Sequence, residues 1–229
     1  MATGSTIPIE SSLRSDIMKI SWLGHASFLI ESGGKYLITD PCDEQCGYQP
    51  WNQPVDIATV SHDHYDHNAV EHLQGDPLII KEQDSPVNAE GFTVQGFRSY
   101  HDKNQGQQRG INYIYKITAE DIDILHLGDQ GTLLDQDLIK QIGKVDILMV
   151  PVGGIYTVDA ADAAVIVEQL QPRIVIPMHY KTAQGTIQLA PVEDFLSRYA
   201  QVVKCPFLTV TPAELPQAMQ VIVLEILNG

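Results

Sequence analysis

Three histidines and two aspartates fall within seven residues, Ser61-His62-Asp63-His64-Tyr65-Asp66-His67, directly after the apolar run Ile57-Ala58-Thr59-Val60. Imidazole nitrogens and carboxylate oxygens at this density are the chemistry of a metal site, because such a cluster at a strand end is costly to hold without a cation. His62 and His64 lie two apart, so backbone that stays extended turns both rings to one side. Asp66 and His67 follow where the chain is expected to turn into a helix. One segment can therefore feed two adjacent cations.

Further ligands are expected where other strands end. Tyr100-His101-Asp102 follows one apolar run, His126-Leu127-Gly128-Asp129 a second and Pro177-Met178-His179-Tyr180 a third. Gly128 permits close backbone approach just before Asp129, whose carboxylate is suited to bridging two cations about 3.5–4 Å apart. Such a pair lowers the pKa of a bridging water, so hydroxide becomes the expected nucleophile, with Asp66 orienting it. No Gly-x-Ser-x-Gly nucleophile motif competes with this reading. Tyr65, Tyr180 and His25 are the candidate proton donors, and the sequence does not choose among them. His25 and His126 are read as supporting residues rather than ligands, and His72 as a surface or a supporting residue. Lys103, Arg109 and Lys181 are the basic residues nearest the expected ligands along the chain, so any of them is a candidate for an anionic substrate group. Substrate-binding residues are otherwise unassigned.

The elements that must position these groups are mostly short strands. Lys19–Leu23 reads as the first, so the fold is expected to begin near Met18, with residues 1–17 as an extension and 18–229 as one domain. Residues 27–30 and 36–39 flank Gly33-Gly34 as a hairpin. Strands are expected over 56–60, 91–97, 111–117, 121–127, 145–150, 173–176 and 220–226. Apolar spacing predicts helices over 160–170, closed by Pro172, and over 192–199. Thr157 or Asp159 is placed to cap the first of these. The loop 40–54 is expected to flank the site, and the Gly153-Gly154-Ile155-Tyr156-Thr157 turn follows the strand that ends at Val150. The class is a layered α/β (α+β) domain.

Trp22-Leu23-Gly24-His25-Ala26-Ser27, the His62–His67 segment, Leu127-Gly128-Asp129 and Pro177-Met178-His179-Tyr180 together resemble the metallo-β-lactamase superfamily, over nearly everything from Met18 onward. More narrowly, the chain is similar to a branch of zinc-dependent hydrolases that includes the ascorbate-6-phosphate lactonases and, more distantly, the N-acylphosphatidylethanolamine phospholipase D enzymes. The resemblance implies a four-layer αββα sandwich with metals at one edge, and places the 153–157 turn beside the metal cleft. It implies His62, His64 and His101 at one metal, Asp66, His67 and His179 at the second, and Asp129 between them. The cofactors it implies are two divalent ions, zinc or else manganese. The expected function is a metal-dependent hydrolase that uses a metal-bridging hydroxide on a small-molecule ester, lactone or phosphoester. A phosphodiesterase or phospholipase-like hydrolase is the alternative, as is a non-catalytic metal-dependent metabolite-binding module. A diiron oxygen-reducing protein would typically carry Glu where His64 stands.

Composition narrows the partners. Fourteen Lys and Arg against 29 Asp and Glu leave a net charge of −15, which repels phosphate backbones, so no nucleic acid is expected and a small-molecule substrate is. Cys42, Cys46 and Cys205 form no even framework, and no apolar run reaches the length of a membrane span. The first residues lack the basic start and apolar core of a signal peptide. A cytoplasmic protein with reduced thiols and no integral membrane segment is therefore expected.

Overall fold

The structure, a computed structural model, describes residues 17–227, so the expected N-terminal extension lies, but for Ile17, outside the described residues. Two sheets face each other. The first has six strands, β1 (Met18–Gly24), β2 (Ser27–Ser32), β3 (Lys35–Thr39), β4 (Ile57–Val60), β5 (Leu78–Lys81) and β13 (Leu208–Val210), in the order β13-β1-β2-β3-β4-β5. The second has eight: β6 (Val87–Ala89), β7 (Phe92–Tyr100), β8 (Ile111–Ala119), β9 (Ile122–His126), β10 (Ile147–Pro151), β11 (Ile174–Met178), β12 (Val202–Cys205) and β14 (Gln220–Leu224), in the order β12-β14-β11-β10-β9-β8-β7-β6.

Alternation along the first sheet sorts its side chains between two faces. Ile20, Trp22, Phe28, Ile30, Leu37 and Ile57 enter the large cluster shared with the second sheet, while Leu23, Leu29, Ile38 and Ala58 face outward. That outer face is covered by Trp51 and Leu73, from the loop after β3 and the 3₁₀ turn Val70–His72. The Gly33-Gly34 turn, with φ of +57° and +77°, closes β2 on β3 as expected, pairing Ser32 with Lys35. In the second sheet β10 and β11 are parallel and buried along their whole length, as their apolar runs of Val, Ile, Leu, Met and Pro require. The helices α1 (Gln136–Ile142), α2 (Ala160–Leu170) and α3 (Glu193–Leu196) bury their apolar residues in the same cluster as those strands. Asp159, not Thr157, caps α2, accepting from the N–H groups of Ala161 and Asp162.

Several expectations are revised. The helix anticipated over 192–199 is regular only over Glu193–Leu196, because the N–H groups of Arg198 and Tyr199 reach back three residues and tighten the turn. Helix α1, capped by Asp135 and ended at Gly143, was not anticipated, nor were the short strands β5, β6, β12 and β13. At His67 the chain forms a single turn, with the N–H groups of His67 and Asn68 both bonded to His64 O, and then only the short 3₁₀ turn Val70–His72 in place of the expected helix. Among the described residues no helix is long and apolar enough to cross a membrane.

Antiparallel pairing of β1 with β2 and β2 with β3, and parallel pairing of β3 with β4, point β1, β3 and β4 one way in the first sheet, while antiparallel pairing of β7 with β8 and β8 with β9, and parallel pairing of β9 with β10 and β10 with β11, point β7, β9, β10 and β11 one way in the second. Their carboxyl ends share one edge of the sandwich. This is where open α/β sheets present ligand sites, since loops leaving those ends are free of the ladder.

Candidate metal centre

Six of those seven strand ends deliver a histidine or aspartate. His25 follows β1, Asp40 follows β3, His62 follows β4, His101 follows β7, Asp129 follows β9 and His179 follows β11. Three groups form around them, each with ligand atoms within 4.8 Å of one another: His62, His64 and His101; His62, His67 and Asp129; and His25, Asp66, His67 and His179. Every expected ligand is in one of these groups.

Asp129 lies at the centre. Its Oδ1 stands 3.2 Å from both His67 Nε2 and His179 Nε2, and its Oδ2 stands 3.1 Å from His101 Nε2 and 3.9 Å from His62 Nε2. These approaches do not satisfy the buried polar atoms: His62 Nε2, His67 Nε2 and Asp129 Oδ1 have no hydrogen-bond partner. Two donor atoms each about 2.0–2.2 Å from one ion stand roughly 3.0–3.5 Å apart without being aligned for a hydrogen bond, which is the spacing seen. Orphaned polar atoms at this depth are expensive unless a cation takes their lone pairs. The residues thus fit a metal centre.

The outward nitrogens are fixed from behind. Asp40, fully buried, accepts from His67 Nδ1 at 2.7 Å, from the Ser61 hydroxyl at 2.6 Å and from the Ser61 N–H at 2.7 Å. Ser61 Oγ, having donated its proton to Asp40, accepts from His62 Nδ1 at 3.0 Å. One carboxylate therefore sets the tautomer of two imidazoles and leaves both Nε2 lone pairs facing the site. Asp40 was not singled out from the sequence. Its place after a strand, at the start of the loop expected to flank the site, was the available signal.

Charge follows the same logic. Burial and the neighbouring His67 push His62 down to about 2, so it stays a neutral ligand. Burial and His179 likewise lower His25 to about 4. Burial alone disfavours a charge on His67, yet Asp129 and Asp40 on either side raise it well above its ordinary value. For Asp129 burial opposes ionisation, but His179 and His67 hold it well below the usual carboxylate range.

Backbone geometry brings Asp129 in. Gly128 has φ of +54°, and a Cβ there would lie 2.4 Å from Asn112 Oδ1 and 2.5 Å from Ser61 Cβ. Asn112 Oδ1 accepts the Asp129 N–H at 2.9 Å, and its amide donates to Leu127 O at 2.9 Å. His126 donates to Ala26 O at 2.8 Å and serves the seam between sheets, as a supporting residue should. His25 is closer to the chemistry than expected: its Nε2 is 3.3 Å from Asp66 and has no hydrogen-bond partner. His72 is exposed and faces Asp43 at 3.5 Å. Tyr180 packs against Trp22 with ring centroids 5.1 Å apart, the core role rather than a proton donor's. Cys42 and Cys46 are buried against Tyr48 and enter none of the three groups. Outside the buried cluster lies a cleft of about 440 Å³, lined by His64, Tyr65, Asp66, Arg109, Tyr156 and Ile187 among others.

An edge-on two-sheet sandwich with a His/Asp metal centre at its strand ends defines the class. The chain belongs to the β-lactamase superfamily, whose domain model matches residues 19–179. It is 31% identical over 196 residues to a UPF0173 metal-dependent hydrolase of Saccharolobus solfataricus, covering 72% of this chain and 85% of that one. A UPF0173 metal-dependent hydrolase of Pyrobaculum arsenaticum is 28% identical over 227 residues, covering 86% and 98%. Among solved structures, a proposed Zn-dependent hydrolase of the metallo-β-lactamase superfamily from Thermotoga maritima superposes with a TM-score of 0.75 at 32% identity, covering 90% of this chain and 98% of that one. The protein is a metal-dependent hydrolase of this superfamily.

Proposed function

We propose that the protein is a dinuclear zinc hydrolase that cleaves a small-molecule ester, lactone or phosphoester. The observation that carries this reading is Asp129, each of whose oxygens faces two imidazoles. His62, His64 and His101 would hold one ion, Asp66, His67 and His179 the other, and Asp129 would bridge them. Manganese is the second choice, since a donor set rich in imidazole favours zinc. When bound, the two ions supply Lewis acidity and hydroxide at neutral pH.

The chain's own groups do the rest. Asp66 lines the cleft and would orient the attacking water by accepting its hydrogen bond, with His25 Nε2 standing 3.3 Å from that carboxylate. Tyr65, 55% exposed at the cleft, would be the group that donates a proton to the leaving group. A cleft of about 440 Å³ admits a metabolite-sized substrate.

Elemental analysis of protein purified without added metal or chelator tests this reading. About two equivalents of zinc, and fewer in Asp129→Ala, are expected. No bound metal after incubation with zinc, or no turnover of any member of a lactone, ester and phosphodiester panel by loaded protein, overturns it.

A further inference from the structure

Of the three basic residues near the ligands in sequence, the fold spends one and turns another away. Lys103 is paired with Asp162 at 2.8 Å, and Lys181 is exposed outside the cleft. Arg109 alone, among the described Lys and Arg residues, lines the cleft, and it has no carboxylate within ion-pair distance. Asp63, the exposed acid at the same rim, is already matched by Lys81 at 3.1 Å.

Arg109 is also held in place. Asp102, next to His101, accepts four backbone N–H groups, from Asn104 at 2.8 Å, Gly106 at 3.1 Å, Gln108 at 3.0 Å and Arg109 itself at 2.7 Å. That wraps the 102–109 loop around one carboxylate. From the opposite wall, the Tyr156 ring lies under the guanidinium, 4.5 Å from Cζ to centroid. Tyr156 is presented by a three-residue turn in which its N–H bonds to Gly154 O and the β-branched Ile155 is forced to φ of +63°. Strain of this kind persists only where surrounding structure holds it, and here it sets one face of the cleft.

We infer that Arg109, seated on Tyr156, binds an anionic group, a carboxylate or phosphate, that the substrate carries apart from the bond being cleaved. The inference rests on the hydrolase reading above and deepens it. Stacking occupies the face of the guanidinium and leaves its edge N–H donors free for a bidentate contact with two oxygens. A guanidinium beside a cleft meant to hold two cations is electrostatically unfavourable unless an anion comes between them. In a chain of net charge −15, Arg109 is the one fixed positive charge among the described Lys and Arg residues that lines this cleft.

The test titrates zinc-loaded protein calorimetrically with succinate, glutarate and adipate against butyrate, valerate and hexanoate, one carboxylate of each meeting the metal centre. The best diacid is expected to bind about tenfold tighter than its monoacid, and in Arg109→Ala the two affinities should converge, with Arg109→Lys recovering part of the difference. Replacing succinate with 3-phosphonopropionate tells phosphate from carboxylate by which binds tighter. Zinc bound in full stoichiometry with no diacid preference in the parent, or a preference that survives in Arg109→Ala, overturns this inference alone. Failure to bind zinc overturns the metal-site reading and this one with it.

Discussion

Asp40→Asn changes one oxygen to nitrogen at a fully buried position, and its consequences can be worked from the structure. Asp40 Oδ2 receives His67 Nδ1–H at 2.7 Å and the Ser61 hydroxyl at 2.6 Å, while Oδ1 receives the Ser61 N–H at 2.7 Å. An asparagine keeps an acceptor for the Ser61 N–H but turns an NH₂ donor toward His67. His67 must then accept at Nδ1 and carry its proton on Nε2, where the metal should be. Removing such a partner typically lowers metal affinity 10–100-fold, or about 1.4–2.7 kcal/mol. The metal-free protein should also lose about 1.5–3 kcal/mol for the charge-assisted bond. Zinc affinity from chelator competition and urea unfolding of the metal-free protein read the two quantities separately. Ser61→Ala, which removes the acceptor for His62 Nδ1 and one donor to Asp40 but leaves the His67 contact in place, should weaken zinc by less than Asp40→Asn does. An Asp40→Asn variant that unfolds cooperatively yet binds zinc within twofold of the parent would refute the argument that Asp40 sets the tautomers.

Gly128→Ala should destabilise the protein by about 2–4 kcal/mol in urea unfolding, because the residue sits at φ of +54° and the added carbon meets Asn112 and Ser61; a midpoint unchanged from the parent would refute this. Zinc binding near pH 7 should release about one proton, chiefly from His67, measured by calorimetry in buffers of different ionisation enthalpy. His67, raised above its unfolded value, lends the metal-free protein stability that is complete below about pH 6.5 and is lost as pH rises through its folded value. Zinc-loaded protein should lack that alkaline decline in melting temperature. Chelation of zinc should leave a folded protein with unchanged far-ultraviolet circular dichroism and a lower melting temperature.

How much of this was legible in the sequence depended on separation along the chain. His62, His64, Asp66 and His67 lie within one turn and a strand end, so their types and spacing spoke directly. Asp129 and His179 were found because each closes an apolar run. Asp40 was missed because its partners are 21 and 27 residues away, and nothing local distinguishes it from any aspartate that ends a strand before a proline. The choice of Arg109 over Lys103 and Lys181 was equally out of reach, since it depends on how Asp102 folds the loop back on itself. Helix α1 had visible caps in Asp135 and Gly143, but seven residues gave too little periodicity to show between them. The short strands β5, β6, β12 and β13 are at or near the sheet edges, where one-sided pairing relaxes the apolar pattern that marks a strand.

The centre straddles the seam between sheets, and that explains the expected persistence of the fold without metal. Each proposed ion would draw on both sheets: His62 and His64 with His101 at one, Asp66 and His67 with His179 at the other. If ions alone closed this seam, folding and binding would be one event, as in small metal-stapled domains. Here the same edge is already fastened by protein, with His126 Nε2 donating to Ala26 O at 2.8 Å, the His179 N–H to His25 O at 3.0 Å and the Tyr113 N–H to Ser61 O at 2.8 Å. These bonds join residues adjoining the ligands, so the imidazoles converge before an ion arrives. Ions would then find a preorganised centre whose cost has been met by folding, and their binding energy would be left to hold substrate and shift its reactivity rather than to assemble the sandwich.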